Sequence, residues 1–189
     1  MAGNAANVPD NGISLPKKLG AGAVMALNLK GGQKDTKGAA ISSGGMPVDT
    51  KALLAGEDIT ADALGNTANP NNIANPDNLK FSEKMRTLFI GEDSGQHVNN
   101  FLWAYHIDTK QLSRIMSIPA GGEATGLHAV DEINGWTYIM SNFQHAGDWG
   151  GIHNVVKGQL DPLINANYKN KSGAAVGYLT GTPTQMKLG

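Results

Sequence analysis

Asn75-Pro-Asp-Asn-Leu-Lys-Phe-Ser-Glu-Lys-Met-Arg-Thr-Leu-Phe-Ile-Gly-Glu-Asp93 is the stretch whose reading decides the fold. Asp77 and Asn78 open an apolar run that closes at Phe81. A second run, Leu88, Phe89 and Ile90, ends in Glu92 and Asp93, and Ser82 to Arg86 forms a short polar turn between them. Two strands joined as a hairpin place the start of the first beside the end of the second. The oxygen donors Asp77, Asn78, Glu92 and Asp93 then share one end of a sheet. Hard cations such as calcium take roughly six to eight oxygens from carboxylates, amides and backbone carbonyls. The stretch therefore reads as part of a calcium site built on a sheet. It reads equally as a plain turn, since Pro, Asn and Asp are favoured turn residues.

Downstream the strand pattern continues. Phe101–Ile107 alternates with period two, Phe101, Trp103 and Tyr105 against Leu102, Ala104 and His106. Asp108-Thr109-Lys110 is a tight turn. Leu112–Ile118 sets Leu112, Arg114, Met116 and Ile118 against Ser113, Ile115 and Ser117. Four short antiparallel strands in about 45 residues match one β-propeller blade, here 75–119. The pattern then restarts. Glu123–Val130 repeats the role of Asp77–Phe81, and Asn134-Gly135 signals a hairpin turn. Trp136–Asn142 repeats Thr87–Glu92, with Phe143–His145 ending at the height of Glu92 and Asp93. An insertion at 146–172 includes Asp161, read as the cap of a short helix with Pro162 in its first position. Ala175–Thr180 supplies a further strand.

Upstream, 1–19 reads as a polar arm and Gly22–Leu29 as a strand. Residues 30–50 read as a long loop, Ala52–Ala55 as a strand or one helical turn, and 57–74 as loop. The expected architecture is all-β: a partial antiparallel β-propeller over 20–189, with one full blade, parts of two neighbours, long loops and one short helix. A closed propeller has typically four to eight blades, more than this chain supplies.

Composition narrows the function classes. With 189 residues the chain is the size of one domain, and 40% hydrophobic content permits a core. The net charge of −1, with basic residues scattered, argues against nucleic acid or an anionic membrane as partner. The 25 glycines fit a turn-rich fold. Zero cysteines exclude disulfides, thiol nucleophiles and zinc–thiolate sites. No secretory signal is visible at Met1 to Pro9, and no run reaches membrane-spanning length.

Few motifs carry chemistry. The histidines 97, 106, 128, 145 and 153 lack the i, i+4 pairing of a helical metal site. Gly-Glu-Asp-Ser-Gly at 91–95 has Asp93 where a nucleophile elbow has its nucleophile, and no helix pattern follows it. Glu123 between glycines reads as a loop carboxylate. Asp148-Trp149-Gly150-Gly151 reads as a flexible loop rather than a lid.

Taken together, Asn-Pro-Asp-Asn-Leu (75–79), Leu-Phe-Ile-Gly-Glu-Asp-Ser-Gly (88–95), Leu-Trp-Ala-Tyr (102–105), Gly-Glu-Ala-Thr-Gly (122–126) and Gln-His (144–145) resemble the PhoX-type (DUF839) alkaline phosphatase family. The resemblance spans about residues 12–183 and corresponds to the C-terminal portion of such proteins. It implies a six-bladed propeller, a periplasmic or extracellular location, and metal-dependent hydrolysis of phosphate monoesters by calcium and iron in a central channel. It makes Glu123 a calcium ligand, with Asp77, Asn78, Glu92 and Asp93 as further ligand candidates, and places His145 near the channel mouth as a catalytic candidate. The family's iron-bridging cysteine has no counterpart here, so iron is expected only if another chain supplies it. Exposed sheet edges invite pairing, which gives two candidate partners: further copies of this chain, or a separate chain carrying the remaining blades. Two other readings remain: a non-enzymatic, self-assembling β-protein, and a calcium-dependent propeller lactonase-like hydrolase.

Overall fold

The computed structural model describes residues 18–168 and 173–182. Among these residues nine strands form: β1 (Ala23–Lys30), β2 (Met46–Ala55), β3 (Pro76–Ser82), β4 (Thr87–Glu92), β5 (Phe101–His106), β6 (Leu112–Ser117), β7 (Glu123–Ile133), β8 (Trp136–Gln144) and β9 (Ala175–Gly181). A 3-10 turn at Gly151–Val155 leads into one helix, α1 (Lys157–Asn167). The strands make three antiparallel sheets, β1-β2, β3-β4-β5-β6 and β7-β8-β9. The all-β expectation holds, and the stretch 75–119 is a four-stranded meander. Among the described residues the sheets stay open, and no barrel or propeller closes. No helix among them is long and apolar enough to cross a membrane.

Period-two alternation in β5 explains how the sheets stack. Phe101, Trp103 and Tyr105 join Leu88, Ile90 and Val24 in a core between the middle sheet and β1-β2. Leu102 and Ala104 point the other way and join Phe89, Ala129 and Ile139 in a core against β7-β9. Both faces of the middle sheet are thus covered, which leaves β4 and nearly all of β5 buried. The guanidinium of Arg114 caps the first core, 4.6 Å from the centre of the Phe101 ring.

Three expectations need correction. The 30–50 loop ends early, because β2 starts at Met46; its outer half pairs with β1 at exposed positions that no apolar pattern marks. Of the two readings of Ala52–Ala55, the strand is the one found. The alternation in β6 breaks, because Leu102 faces Met116 while Trp103 faces Arg114. Ile115 is the extra residue of a bulge, so Met116 turns to the Leu102 side. The helix begins at Lys157 rather than Asp161, and Pro162 lies inside it, where it removes the bond that residue 162 would give the Gly158 carbonyl. Packing outweighs that loss: Val156, Leu160 and Ile164, four residues apart, join Val98, Ala120 and Ala146 in a third cluster. Of the arm at 1–19, only Lys18 and Leu19 are among the described residues, and the insertion is described up to Tyr168.

Candidate functional site

The β3–β4 hairpin does bring its two ends together. Pro76 pairs with Glu92 and Asn78 with Gly91, so Asp77 occupies a bulge at the rim. The Asn78 side-chain amide donates to Asp77 Oδ2 at 2.7 Å, and the Asp93 amide donates to the Asn75 carbonyl. In the next sheet Glu123 pairs with Gln144, and His145 follows directly. Gly91 makes the meeting possible. A Cβ there would lie 2.7 Å from the Ala124 carbonyl oxygen, so β4 and β7 touch backbone to backbone beside the site. Asp93 and Glu123 therefore lie at the same end of neighbouring sheets, near enough for the Glu123 charge to act on Asp93.

Their electrostatics record that proximity. Asp93 is pushed above the usual carboxylate range, first by partial desolvation, then by the charges of Glu123 and Asp77; His145 opposes the shift. Glu123 is buried, and its Oε2 accepts hydrogen bonds from the Gln144 amide and from His145 Nε2 at 3.3 Å. His145 adopts a left-handed backbone, φ 41°, uncommon for a non-glycine residue and frequent at functional sites. Its Nδ1 donates to the Gly121 carbonyl at 3.1 Å. Both ring nitrogens thus face acceptors, which favours the imidazolium. Burial alone would lower the His145 pKa, but the Gly121 carbonyl, Glu123 and Asp148 together raise it above 6.5. A histidine whose folded pKa is raised contributes stability that is complete below its unfolded value and is lost as pH climbs through the folded one. The His145 ring protons should therefore titrate above 6.5 by NMR, and Glu123→Gln should move the midpoint down. A midpoint that Glu123→Gln leaves in place would refute the pairing.

Glu92 is not part of this group. Its side chain is fully buried on the opposite face of β4. Oε1 accepts from the Ala74 amide (2.8 Å) and the Trp103 indole (2.6 Å). Oε2 accepts from the Phe101 amide and from His97 Nδ1, both at 3.0 Å. Such a carboxylate holds β4, β5 and the 93–100 loop in register, with its acceptor capacity already used.

Residues the sequence did not single out complete the surroundings. Buried Asn100 accepts from the Ser94 amide and donates to the Gly122 carbonyl at 2.8 Å, tying the loop after β4 to the loop before β7. Asn75, also left-handed at φ 41°, accepts from the Ser94 hydroxyl and donates to the Gly20 carbonyl. Asn75 entered the sequence reading only as the first residue of the Asn-Pro-Asp-Asn turn, and Asn100 carried no signal. An open cleft of about 240 Å³ lies between these loops, with Asp93, Ser94, His145, Asp148 and Trp149 on its walls. The Asp148–Gly151 segment, expected to be flexible, is anchored: the Trp149 indole donates to Asp161 at 2.5 Å and His153 bonds to Gly150 and Val98. His97 and His153 are buried structural groups, and His106 accepts from a turn amide. No group of three or more His, Asp or Glu side chains converges to hold a metal ion among the described residues. Comparison with models of known families, with curated proteins and with solved structures finds no match to this chain.

Proposed function

We propose that this chain is a β-propeller protein of the PhoX-type phosphatase kind, binding calcium between Asp93 and Glu123 and acting on phosphate monoesters. The observation that carries the reading is a pair of carboxylates from adjacent sheets, held at one end of the stack by the β4–β7 backbone contact. The Glu123 charge raises the cost of ionising Asp93, and a cation between them relieves it. The order of the sheets supports the propeller: β3 and β4 of the middle sheet lie against β7, the first strand of the next, as in successive blades.

The donor set fits calcium in kind. Asp93 and Glu123 supply hard oxygens and Asp77 stands at the rim, with carbonyls and water left to complete the shell. It does not fit the family's iron pair, since a bridging thiolate cannot come from a chain without cysteine. Bound calcium would supply positive charge for phosphate oxygens. Asp93 and Glu123 would orient it, and the His145 imidazolium would offer a second positive group beside Glu123. The absence of a third converging charged ligand among the described residues favours one other reading, a structural calcium site without turnover.

Calorimetric titration of the purified chain with calcium should give a Kd on the order of 10⁻⁶ to 10⁻³ M. Asp93→Asn and Glu123→Gln should each weaken it about tenfold or more. A flat titration would sink the site. Calcium-dependent hydrolysis of p-nitrophenyl phosphate, abolished by a chelator, supports the phosphatase; tight binding without hydrolysis supports the structural reading.

A further inference from the structure

We propose that the open cleft beside the carboxylate pair is a pocket for a small organic ammonium group, held by the Asp148 carboxylate against the indole of Trp149. What the wall leaves unused points to this. Its neutral polar groups are already committed. The Ser94 hydroxyl donates to Asn75 and accepts from the Gln96 amide, and the Asn100 side chain is shared between Ser94 and Gly122. His153 accepts from the Gly150 amide through Nδ1 and donates to the Val98 carbonyl through Nε2. His145 is taken by Gly121 and Glu123. On this wall Asp93 and Asp148 alone present carboxylates that accept no hydrogen bond from the described residues. Asp93 serves the calcium site proposed above, which leaves Asp148 for a second cation.

Trp149 supplies the other half. Its indole N–H is spent on Asp161, and the ring packs with Ile152 in the third cluster, so what it offers the cleft is fixed carbon surface. A cation beside an indole ring is attracted by the ring quadrupole, and Trp is the best of the aromatic partners. Chemistry then selects the class of cation. A metal ion at Asp148 would find one free carboxylate, and no three His, Asp or Glu side chains converge among the described residues. Without a bound metal, an anion would find no lysine or arginine on the described wall. An alkylammonium brings one diffuse charge for Asp148 and carbon for Trp149 and Ile152. The cleft, about 240 Å³, falls below the roughly 300–1,000 Å³ of sites for drug-sized ligands, so the ligand is small. The pocket stands on the cleft's own chemistry; that its ammonium belongs to the alcohol of a phosphate monoester rests on the reading proposed above.

Choline is the probe, and dimethylbutanol, with carbon in place of the nitrogen, is its uncharged control. Each is titrated into the calcium-free full chain and followed by NMR at the indole N–H signals of the 3 tryptophans, Trp149 being assigned by its loss in Trp149→Phe. Choline should shift the Trp149 signal saturably, and dimethylbutanol should bind about 2- to 30-fold more weakly, the span of a cation–π contact. Asp148→Asn removes only a charge at an exposed side chain, so the melt should hold while choline affinity falls severalfold. Equal binding of the two probes, an affinity that Asp148→Asn leaves in place, or shifts confined to the other tryptophans would each overturn the pocket. With calcium present, kcat/KM for choline phosphate should exceed that for dimethylbutyl phosphate. Equal values would overturn the placement of the ester's alcohol in the pocket. Choline binding with no hydrolysis of these esters or of p-nitrophenyl phosphate keeps the pocket and removes the phosphatase reading.

Discussion

Glu92→Leu is expected to cost about 3–5 kcal/mol of folding stability, the loss typical when one partner of a buried charged network is removed. Leucine fills a similar volume but accepts nothing. Four donors that converge on the carboxylate would be left buried: the amides of Ala74 and Phe101, the Trp103 indole and His97 Nδ1. An unpaired buried donor costs about 1–3 kcal/mol. Partial repacking keeps the total below the sum of four. Apolar transfer favours leucine by about 2 kcal/mol at most, so the polar loss wins. For a chain of this size the melting temperature should fall by roughly 6–20 °C. Glu92→Gln separates hydrogen bonding from charge. Its amide oxygen can still serve Ala74 and Trp103, and its NH₂ can donate to His97 once the ring proton moves to Nε2, which lies 3.3 Å from the Asn69 carbonyl. Only the Phe101 amide then stays unpaired, for a loss of about 1–3 kcal/mol. Thermal melts of the three proteins give the order wild type, Gln, Leu. Equal melts for wild type and Leu would show that Glu92 does not hold the sheet.

The same residue shows how far the sequence could be read. The β3–β4 and β7–β8 hairpins and the two-faced β5 follow from period-two alternation, and the structure returns them within a residue or two at most ends. That alternation also means Glu92 and Asp93 cannot both face the same site. Of the adjacent carboxylates, Glu92 belongs to the core and Asp93 to the rim. Asp77 with Asp93, and Glu123 with His145, were legible as neighbours because each hairpin's register fixes the height of its own ends. Asn75 and Asn100 were not, since their roles depend on loops meeting from different sheets.

Other misses have the same physical origin. The outer half of β2 is held by pairing to β1 and by an Asn28–Asp49 contact at exposed positions, so no hydrophobic pattern announces it. For α1 the spacing of Val156, Leu160 and Ile164 is a better signal of the helix than a cap at Asp161. Asp161 instead accepts from Trp149 and Asn165, a tertiary role that looks like capping in one dimension.

Gly91→Ala should destabilise the chain by about 1–3 kcal/mol, the usual cost of overpacking, and should weaken calcium binding with it. Alanine in a strand would ordinarily gain about 0.4–1 kcal/mol by restricting the unfolded chain. Here its Cβ would stand 2.7 Å from the Ala124 carbonyl oxygen and 3.5 Å from the Ala124 side chain. The obstacle is backbone in a paired strand, which cannot swing aside, so β4 and β7 must separate. Asp93 lies two residues beyond Gly91 and Glu123 one before Ala124, so the separation opens the carboxylate pair directly. Gly95→Ala is the matched control: it sits in the adjoining loop with nothing within 4 Å of the added methyl. It should leave both stability and calcium affinity near wild type. If Gly91→Ala melts lower yet binds calcium as tightly as Gly95→Ala, the cation does not bridge the two sheets. If both measures fall together, the close backbone contact that stacks the sheets is also what brings Asp93 within reach of Glu123.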